Sequence, residues 1–301
     1  MTMIRLENNF LKGSITPIMT PFRDGKVDHD AYARLVDRHI NEGGHGILVN
    51  GTTAEPSTLS VKERNEIVDT AISVAKGRTQ IVVASGSQSH AETIELSAHA
   101  DKAGAEALLI VTPYYLKPPQ RGLVSYYLDL AQRTDLPIMI YHIPGRAAVD
   151  MKKESIFEIA EKADNFVGIK HASLDLGFVS DCLLELGENF RIFVGLEELS
   201  FPMLAMGACG LMNAVGNLFP RQVAALYETT ASGDLEQGRK LHYDMLELNR
   251  AVFFDINPIP MKYMAKRLGI LENNEHRLPM APATPELEKR LDKVLAKAGL
   301  L

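Results

Sequence analysis

Short, nearly continuous apolar runs alternate with longer amphipathic stretches along almost the whole chain. Eight apolar runs are typical of parallel strands buried on both faces: 14–19, 46–50, 80–85, 107–112, 137–142, 166–171, 191–195 and 210–214. Stretches with a helical period lie between them, at 30–42, 60–76, 89–103, 120–134, 152–162, 175–188 and 197–206. This alternation predicts a parallel sheet, and eight strands can close it into a barrel.

Four more helical patterns follow the eighth run, at 220–230, 235–253, 258–268 and 285–298. We therefore predict an α/β protein, with a (β/α)8 TIM barrel over residues 1–220 and a C-terminal helical region over residues 221–301 packed on it. An open, doubly wound sheet is the alternative, but the turn after the first strand lacks a Gly-x-Gly-x-x-Gly motif. Two helices are predicted to open with a capping box, at Ser60/Glu63 and Ser89/Glu92.

Composition and charge narrow the function classes. The 301 residues carry a net charge of −6 without a basic block, which argues against binding to nucleic acid or to anionic membranes. The apolar runs fall far short of the roughly 20 residues that span a bilayer, and the N-terminus lacks a signal-peptide pattern. Cys182 and Cys209 are expected to be free thiols, and metal-ligand spacings are missing. We expect a cytoplasmic protein without a metal.

Lys170 is the most unusual candidate among the polar residues at the carboxyl ends of the predicted strands, where barrel enzymes place their chemistry. It closes the apolar run 166–169, whereas every other lysine falls in a helical pattern or a polar loop, where we expect it to be solvated. An ordinary lysine, with a pKa near 10.4, is a free amine in only about one molecule in two thousand at pH 7. Desolvation favours the neutral amine, which can attack a carbonyl carbon. A side chain that merely reaches out to solvent is the alternative.

Tyr141 strengthens the catalytic interpretation of Lys170, because it ends the preceding strand at the matching height. Addition of an amine to a carbonyl and loss of water both require proton transfer to and from oxygen. A tyrosine hydroxyl held by neighbouring hydroxyls can carry those protons. Thr53 and Tyr115 could supply such neighbours.

Other residues at the same end of the barrel suit a substrate with carboxylate groups. Gly51, Thr52 and Thr53 offer unhindered backbone N–H groups and hydroxyls. Arg146, shortly after the fifth strand, could bind a second carboxylate with its planar guanidinium, or form a surface salt bridge. His142 and His171 directly follow Tyr141 and Lys170, and strand alternation is expected to point them away from the site.

At these residues the sequence resembles the dihydrodipicolinate synthase / N-acetylneuraminate lyase superfamily of class I pyruvate-dependent aldolases. The similarity runs almost from end to end. The fragments that carry it are Thr20-Pro21-Phe22, Gly51-Thr52-Thr53-Ala54-Glu55, Ser57-Thr58-Leu59, Thr112-Pro113-Tyr114-Tyr115, Tyr141-His142-Ile143-Pro144-Gly145-Arg146, Gly168-Ile169-Lys170 and Asn257-Pro258-Ile259-Pro260.

The resemblance implies a homotetramer, a dimer of dimers, that needs no cofactor because Lys170 forms a Schiff base with pyruvate. Tyr141 would be the proton relay, linked to Thr52, and Tyr115 would complete the relay across a dimer interface. Thr52 and Thr53 would bind the pyruvate carboxylate.

The backbone around Gly195 and Met212 would line the pocket in this family. Arg146 and the segment 257–260 look more like the synthases than like the sialic acid lyases. In the synthases the matching arginine receives the carboxylate of aspartate semialdehyde. The implied reaction condenses this aldehyde with pyruvate to 4-hydroxy-tetrahydrodipicolinate, a step of lysine biosynthesis.

The sequence departs from the family pattern at several positions. Ala54 replaces a glycine, His142 an asparagine and His171 an acidic residue, while Val61 and Arg64 stand where some members carry feedback-site histidines. Three alternatives stay open. One is a relative that cleaves or dehydrates a 2-keto-3-deoxy sugar acid, or acts as a hydratase-aldolase; the others are a metal-dependent aldolase and a non-catalytic sensor of small molecules.

Overall fold

A closed barrel of eight parallel strands forms the centre of the computed structural model, which describes residues 3–301. The ten strands in this part of the chain are β1 Gly13–Pro17, β2 Phe22–Arg23, β3 Lys26–Val27, β4 Gly46–Val49, β5 Gln80–Ala84, β6 Ala107–Val111, β7 Ile138–His142, β8 Phe166–His171, β9 Arg191–Val194 and β10 Gly210–Leu211. All except β2 and β3 belong to the barrel, in chain order, with β10 pairing back to β1. The predicted (β/α)8 TIM barrel is confirmed. The β2–β3 hairpin was not predicted.

Both faces of the barrel strands are buried, which explains the continuous apolar runs in the sequence. Leu109 of β6 and Met139 of β7 belong to the cluster inside the barrel. The next residues, Ile110 and Ile140, belong to the larger cluster between the barrel and the helices. Successive side chains of a strand therefore pack against two different hydrophobic layers.

The helices surround the barrel and continue beyond it. Those in the described part of the chain are α1 His29–Asn41, α2 Val61–Ala75, α3 His90–Ala103, α4 Gln120–Ala131, α5 Pro144–Ala147, α6 Lys153–Lys162, α7 Leu176–Leu186, α8 Ser200–Ala205, α9 Pro220–Ala231, α10 Leu235–Ala251, α11 Ile259–Arg267 and α12 Pro285–Lys297. The short helix α5 was not predicted. Within residues 3–301, no helix combines the length and apolar character needed to cross a bilayer.

The two predicted capping boxes have different outcomes. At α2 the Ser60 hydroxyl accepts the Glu63 N–H at 3.3 Å, and the Glu63 carboxylate accepts the Ser60 N–H at 2.9 Å, so this box is confirmed. At α3 the Ser89 hydroxyl caps the Glu92 N–H at 3.3 Å, but the Glu92 carboxylate accepts the hydroxyl proton of Ser87 instead. The prediction of a complete box at Ser89 is wrong, because the Glu92 carboxylate binds the Ser87 hydroxyl and not the Ser89 N–H.

The C-terminal helices pack partly on the barrel and partly on each other. Helix α9 contacts β1, whereas α12 contacts α10 and α11. The division into a barrel over residues 1–220 and a helical region over residues 221–301 remains a proposal. Residues 1 and 2 of that barrel range lie outside the described residues. Cys182 and Cys209 are both free thiols, as predicted.

Candidate active site

Tyr141 and Lys170 lie side by side inside the barrel, at the carboxyl ends of neighbouring strands. They are partners in the β7–β8 register, and the Lys170 Nζ lies 4.3 Å from the centre of the Tyr141 ring. Lys170 is only 3% exposed. Within residues 3–301, no carboxylate forms an ion pair with its amine. The amine is therefore enclosed beside a hydroxyl-bearing ring without a salt-bridge partner.

Glu197 contributes a buried carboxyl group near this amine, after the end of β9. One oxygen accepts backbone N–H groups of Ala214 at 2.5 Å and Val215 at 3.4 Å, and the other is buried without a hydrogen-bond partner among the described residues. Burial raises the pKa of Glu197 to about 7, and the charge of Lys170 is among the influences that oppose this rise. Sequence reasoning gave Glu197 no role, although its position just after a buried strand was a signal.

Two threonines of the turn after β4 reach the site differently. The Thr52 hydroxyl lies 3.4 Å from the Tyr141 hydroxyl, to which it donates. The Thr53 hydroxyl is buried and accepts a hydrogen bond from the Asn257 side chain at 3.0 Å. Thr52 thus faces the tyrosine, while Thr53 ties the turn to the C-terminal region. Gly51 precedes both and lines the adjoining cavity.

A cavity of about 500 Å³ opens at this end of the barrel. The lining residues that matter for chemistry are Gly51, Thr52, Glu55, Tyr141, Arg146 and Asn257. Arg146 lies on α5, where its guanidinium donates to the Asn257 carbonyl at 3.5 Å. No carboxylate within residues 3–301 pairs with it, so the surface salt bridge considered for Arg146 is not formed. Its charge is available to an anion in the cavity.

Gly195 and Met212 lie outside the lining of this cavity. The Gly195 N–H donates to the His171 carbonyl at 2.8 Å, and a Cβ atom there would lie 2.8 Å from the Ala172 Cβ, so only glycine fits. Met212 is buried in the cluster inside the barrel that also contains Tyr141.

Tyr115 is not brought to the site by its own chain. Its side chain is 84% exposed, its φ of 74° is in the left-handed region, and the adjacent Leu116 is 78% exposed. Within the described residues Tyr115 forms no hydrogen bond with Tyr141. The structure therefore assembles Lys170, Tyr141 and Thr52 and leaves Tyr115 on the surface.

His142 and His171 point out of the barrel, as strand alternation predicts. Their Nδ1 atoms lie 3.2 Å apart, and both rings pack on Phe178 of α7. Burial lowers the pKa of His142, and it lowers the pKa of His171 to about 4. Both imidazoles are therefore neutral near pH 7.

A second buried lysine corrects the expectation that every lysine other than Lys170 is solvated. Lys262 of α11 is fully buried, and its Nζ lies 2.5 Å from the Glu55 carboxylate. The His276 ring lies 3.2 Å from the same carboxylate. Burial lowers the pKa of Lys262, and Glu55 opposes that shift. The helical pattern gave no sign of this, because the partner lies far away in the sequence.

The arrangement as a whole suits covalent chemistry on a ketone. An enclosed amine can add to a carbonyl carbon, and the hydroxyls of Tyr141 and Thr52 can move the protons that the addition requires. Arg146 can hold an anionic group. No cluster of three or more metal-ligating side chains occurs within residues 3–301.

Comparison with known proteins gives consistent matches over nearly the whole chain. The model of the Dihydrodipicolinate synthetase family matches residues 10–298. Two relatives are named 4-hydroxy-tetrahydrodipicolinate synthase. The one from Thermus thermophilus is 41% identical, over 96% of this chain and 97% of the relative. The one from Aquifex aeolicus is 37% identical, over 96% of this chain and 98% of the relative.

Solved structures agree with these relatives. The crystal structure of dihydrodipicolinate synthase from Aquifex aeolicus matches with a TM-score of 0.94 and 37% identity, over 96% of this chain and 98% of that chain. The enzyme from Acinetobacter baumannii, complexed with pyruvate, matches with a TM-score of 0.93 and 33% identity, over 97% and 100% of the two chains.

Proposed function

The chain belongs to the dihydrodipicolinate synthetase family, and from this premise we propose that it condenses pyruvate with aspartate semialdehyde to 4-hydroxy-tetrahydrodipicolinate. The observation that carries the proposal is the enclosed amine of Lys170, without an ion-pair partner among the described residues, beside Tyr141. A structural lysine would be expected to have a carboxylate partner at such a depth.

Lys170 is the proposed nucleophile. Its neutral amine adds to the C2 carbonyl of pyruvate, the resulting carbinolamine loses water, and a protonated imine remains. Tyr141 protonates the departing oxygen and then takes a proton from the methyl group, which gives an enamine. The enamine carbon attacks the aldehyde carbon, and Tyr141 returns the proton to the resulting alkoxide. The amino group that came from the semialdehyde then attacks the imine carbon, which closes the ring and releases the Lys170 amine. Thr52, 3.4 Å from the tyrosine hydroxyl, connects the relay to the pyruvate carboxylate. These steps need no metal or cofactor.

Substrate carboxylates have two proposed binding positions. Gly51, Thr52 and Thr53 would bind pyruvate, with the Thr53 hydroxyl held in place by Asn257. Gly195 and Met212 would shape the wall around the bound pyruvate. The second position is Arg146, whose guanidinium lines the cavity without an acidic partner among the described residues, and which would bind the carboxylate of the aldehyde.

Self-association is part of the proposal. Tyr115 and Leu116 are exposed together, although large apolar side chains are usually buried. We propose a homotetramer, built as a dimer of dimers, in which Tyr115 extends the Tyr141 relay of a partner subunit. We also propose a cytoplasmic location, where pyruvate and the aldehyde are metabolites.

Parallel turnover measurements test the substrate assignment. Purified protein is given pyruvate with aspartate semialdehyde, and separately a 2-keto-3-deoxy sugar acid. We expect turnover with the first pair, and we expect Arg146→Ala to raise KM for the aldehyde far more than KM for pyruvate. Strong cleavage or dehydration of the sugar acid with negligible condensation would contradict the substrate assignment while leaving the role of Lys170 intact.

A further inference from the structure

His142 and His171 occupy the outer side of the strand ends whose inner side carries Tyr141 and Lys170. The two histidines are register partners one step beyond the tyrosine and lysine. They are 2% and 0% exposed, and their Nδ1 atoms lie 3.2 Å apart. A side-chain hydrogen bond thus joins β7 to β8 one residue from the reacting groups.

The protons of this pair can be assigned from its partners. The His142 Nε2 lies 2.9 Å from the Asp150 carboxylate, which can only accept, so Nε2 carries the proton. The Met151 N–H also approaches Nε2, but at 3.3 Å and without a charge to favour it. The His142 Nδ1 is then an acceptor, and the His171 Nδ1–H donates to it.

The remaining nitrogen of the pair agrees with this assignment. The His171 Nε2 is buried without a hydrogen-bond partner among the described residues. In the assigned tautomer it carries no proton, so only a lone pair is left unsatisfied. The reverse tautomer would turn a lone pair of the His142 Nε2 toward the lone pairs of the Asp150 carboxylate, which is unfavourable. Hydrogen bonds therefore run from His171 through His142 to Asp150.

The ring of Phe178, on helix α7, stacks against the imidazole rings of His142 and His171. Its ring centre lies 5.0 Å from that of His171, at an interplanar angle of 10°, and 5.2 Å from that of His142, at 28°. The rings are thus held by helix α7 on one side and by their own hydrogen bond on the other. Neither histidine can change its rotamer without breaking one of these contacts.

We infer that His142 and His171 form a positioning pair, whose hydrogen bond holds Tyr141 and Lys170 at the separation that imine formation needs. This inference rests on the proposed Schiff-base function. The lysine amine already lies 4.3 Å from the tyrosine ring, so a small shift of one strand end changes the geometry of proton transfer. A misplacement of 1 Å can cost about a hundredfold in rate.

Two substitutions of His171 separate the hydrogen bond from the packing. His171→Phe keeps an aromatic ring against Phe178 and removes the donor. His171→Asn keeps an N–H donor close to the position of Nδ1 and removes the ring. A positioning role predicts that the first variant loses rate and the second loses stability, whereas simple packing predicts loss of stability alone.

The experiment measures how fast borohydride traps the pyruvate imine in the wild type and in both variants, together with each Tm. We expect the imine of His171→Phe to be trapped about 10- to 100-fold more slowly at saturating pyruvate, with little change in the pyruvate concentration that gives half the maximal rate. We expect His171→Asn to trap within a few-fold of the wild type and to melt at a lower temperature. A His171→Phe variant that traps at the wild-type rate, or a His171→Asn variant that is equally slow, would overturn the inference.

Imidazole ¹⁵N NMR of the wild type covers the case in which a variant does not fold. We expect a proton on Nε2 of His142 and on Nδ1 of His171; protons on Nε2 of both rings would overturn the pair. A wild type that forms no pyruvate adduct would remove the proposed function and this inference together. If the wild type forms the adduct and His171→Phe traps it at the wild-type rate, the positioning role of the pair is excluded while the proposed function stands.

Discussion

Lys170 and Lys262 are both buried and both lie over an aromatic ring, yet their surroundings differ. Lys170 is 3% exposed and lies 4.3 Å from the centre of the Tyr141 ring; Lys262 is 0% exposed and lies 4.2 Å from that of Phe22. The Lys262 Nζ contacts the Glu55 carboxylate at 2.5 Å and donates to the Glu275 carbonyl at 2.8 Å. Lys170 has no ion-pair partner among the described residues.

This difference separates a lysine with a structural role from the proposed nucleophile. Burial of an ammonium group is costly unless a counter-charge and hydrogen bonds replace the lost water, and Lys262 has both. Lys170 has neither an ion-pair partner nor a side-chain hydrogen bond among the described residues, so its amine is not engaged in holding the fold together. Depth of burial does not distinguish the two lysines, and the absence of an ion-pair partner among the described residues is what supports Lys170 as the proposed nucleophile.

The largest expected effect is a loss of turnover rate on removal of the Tyr141 hydroxyl. Tyr141→Phe keeps the ring but removes the hydroxyl, so we expect the turnover rate to fall by about 10²- to 10⁴-fold with little change in Tm. Steady-state kinetics and thermal melting measure both. Tyr127→Phe is a matched control, because that buried hydroxyl only donates to the Ile110 carbonyl. Equal rates for the Tyr141 variant and the wild type would show that another group moves the proton.

Removal of the structural lysine should act on stability instead. Lys262→Met leaves the buried Glu55 carboxylate without its amine, and we expect a loss of about 3–5 kcal/mol in the free energy of unfolding. Urea denaturation measures it, and the folded fraction should still form the pyruvate adduct. Adding Glu55→Gln should restore part of the stability. Unchanged stability with loss of the adduct would reverse the roles assigned to the two lysines.

A smaller effect, on the pH dependence of stability, is expected from the buried carboxyl group of Glu197. Its pKa is raised from 4.5 to about 7 by burial, so the folded state binds a proton more tightly than the unfolded state does. The stabilisation from that proton is complete below about pH 4.5 and is lost as the pH rises through 7. Relative to Glu197→Gln, the wild type should lose up to about 3 kcal/mol over this range.

Urea denaturation of both proteins at a series of pH values measures this difference. Parallel stability curves from pH 4.5 to 7 would show that the Glu197 carboxyl group ionises equally easily in the folded and unfolded states. Glutamine is the suitable replacement, because its amide oxygen can still accept the Ala214 and Val215 N–H groups.

Local patterns in the sequence were sufficient to predict the barrel. Each buried strand is an apolar run of its own, so β6 at Ala107–Val111 and β8 at Phe166–His171 lie within the predicted runs. Helix α5 was missed because its four residues are too few for a helical period. The β2–β3 hairpin was missed because two-residue strands have no alternation to detect.

Two kinds of contact in the candidate site were predictable: those between neighbouring strands, and the link of Thr52 to Tyr141, which the family resemblance implied. Tyr141 and Lys170 end consecutive strands, so their proximity follows from the barrel itself. The contact between Thr53 and Asn257 joins segments far apart in the sequence, and no local sequence pattern predicts it.

Trapping of the pyruvate imine tests the central claim most directly. Wild-type protein and the variants Lys170→Ala and Lys262→Met are incubated with pyruvate and borohydride, and intact mass and peptide mapping locate the adduct. The account predicts one adduct on Lys170 in the wild type and in Lys262→Met, and none in Lys170→Ala. An unmodified wild type, or an adduct that persists in Lys170→Ala at the wild-type level, would contradict it.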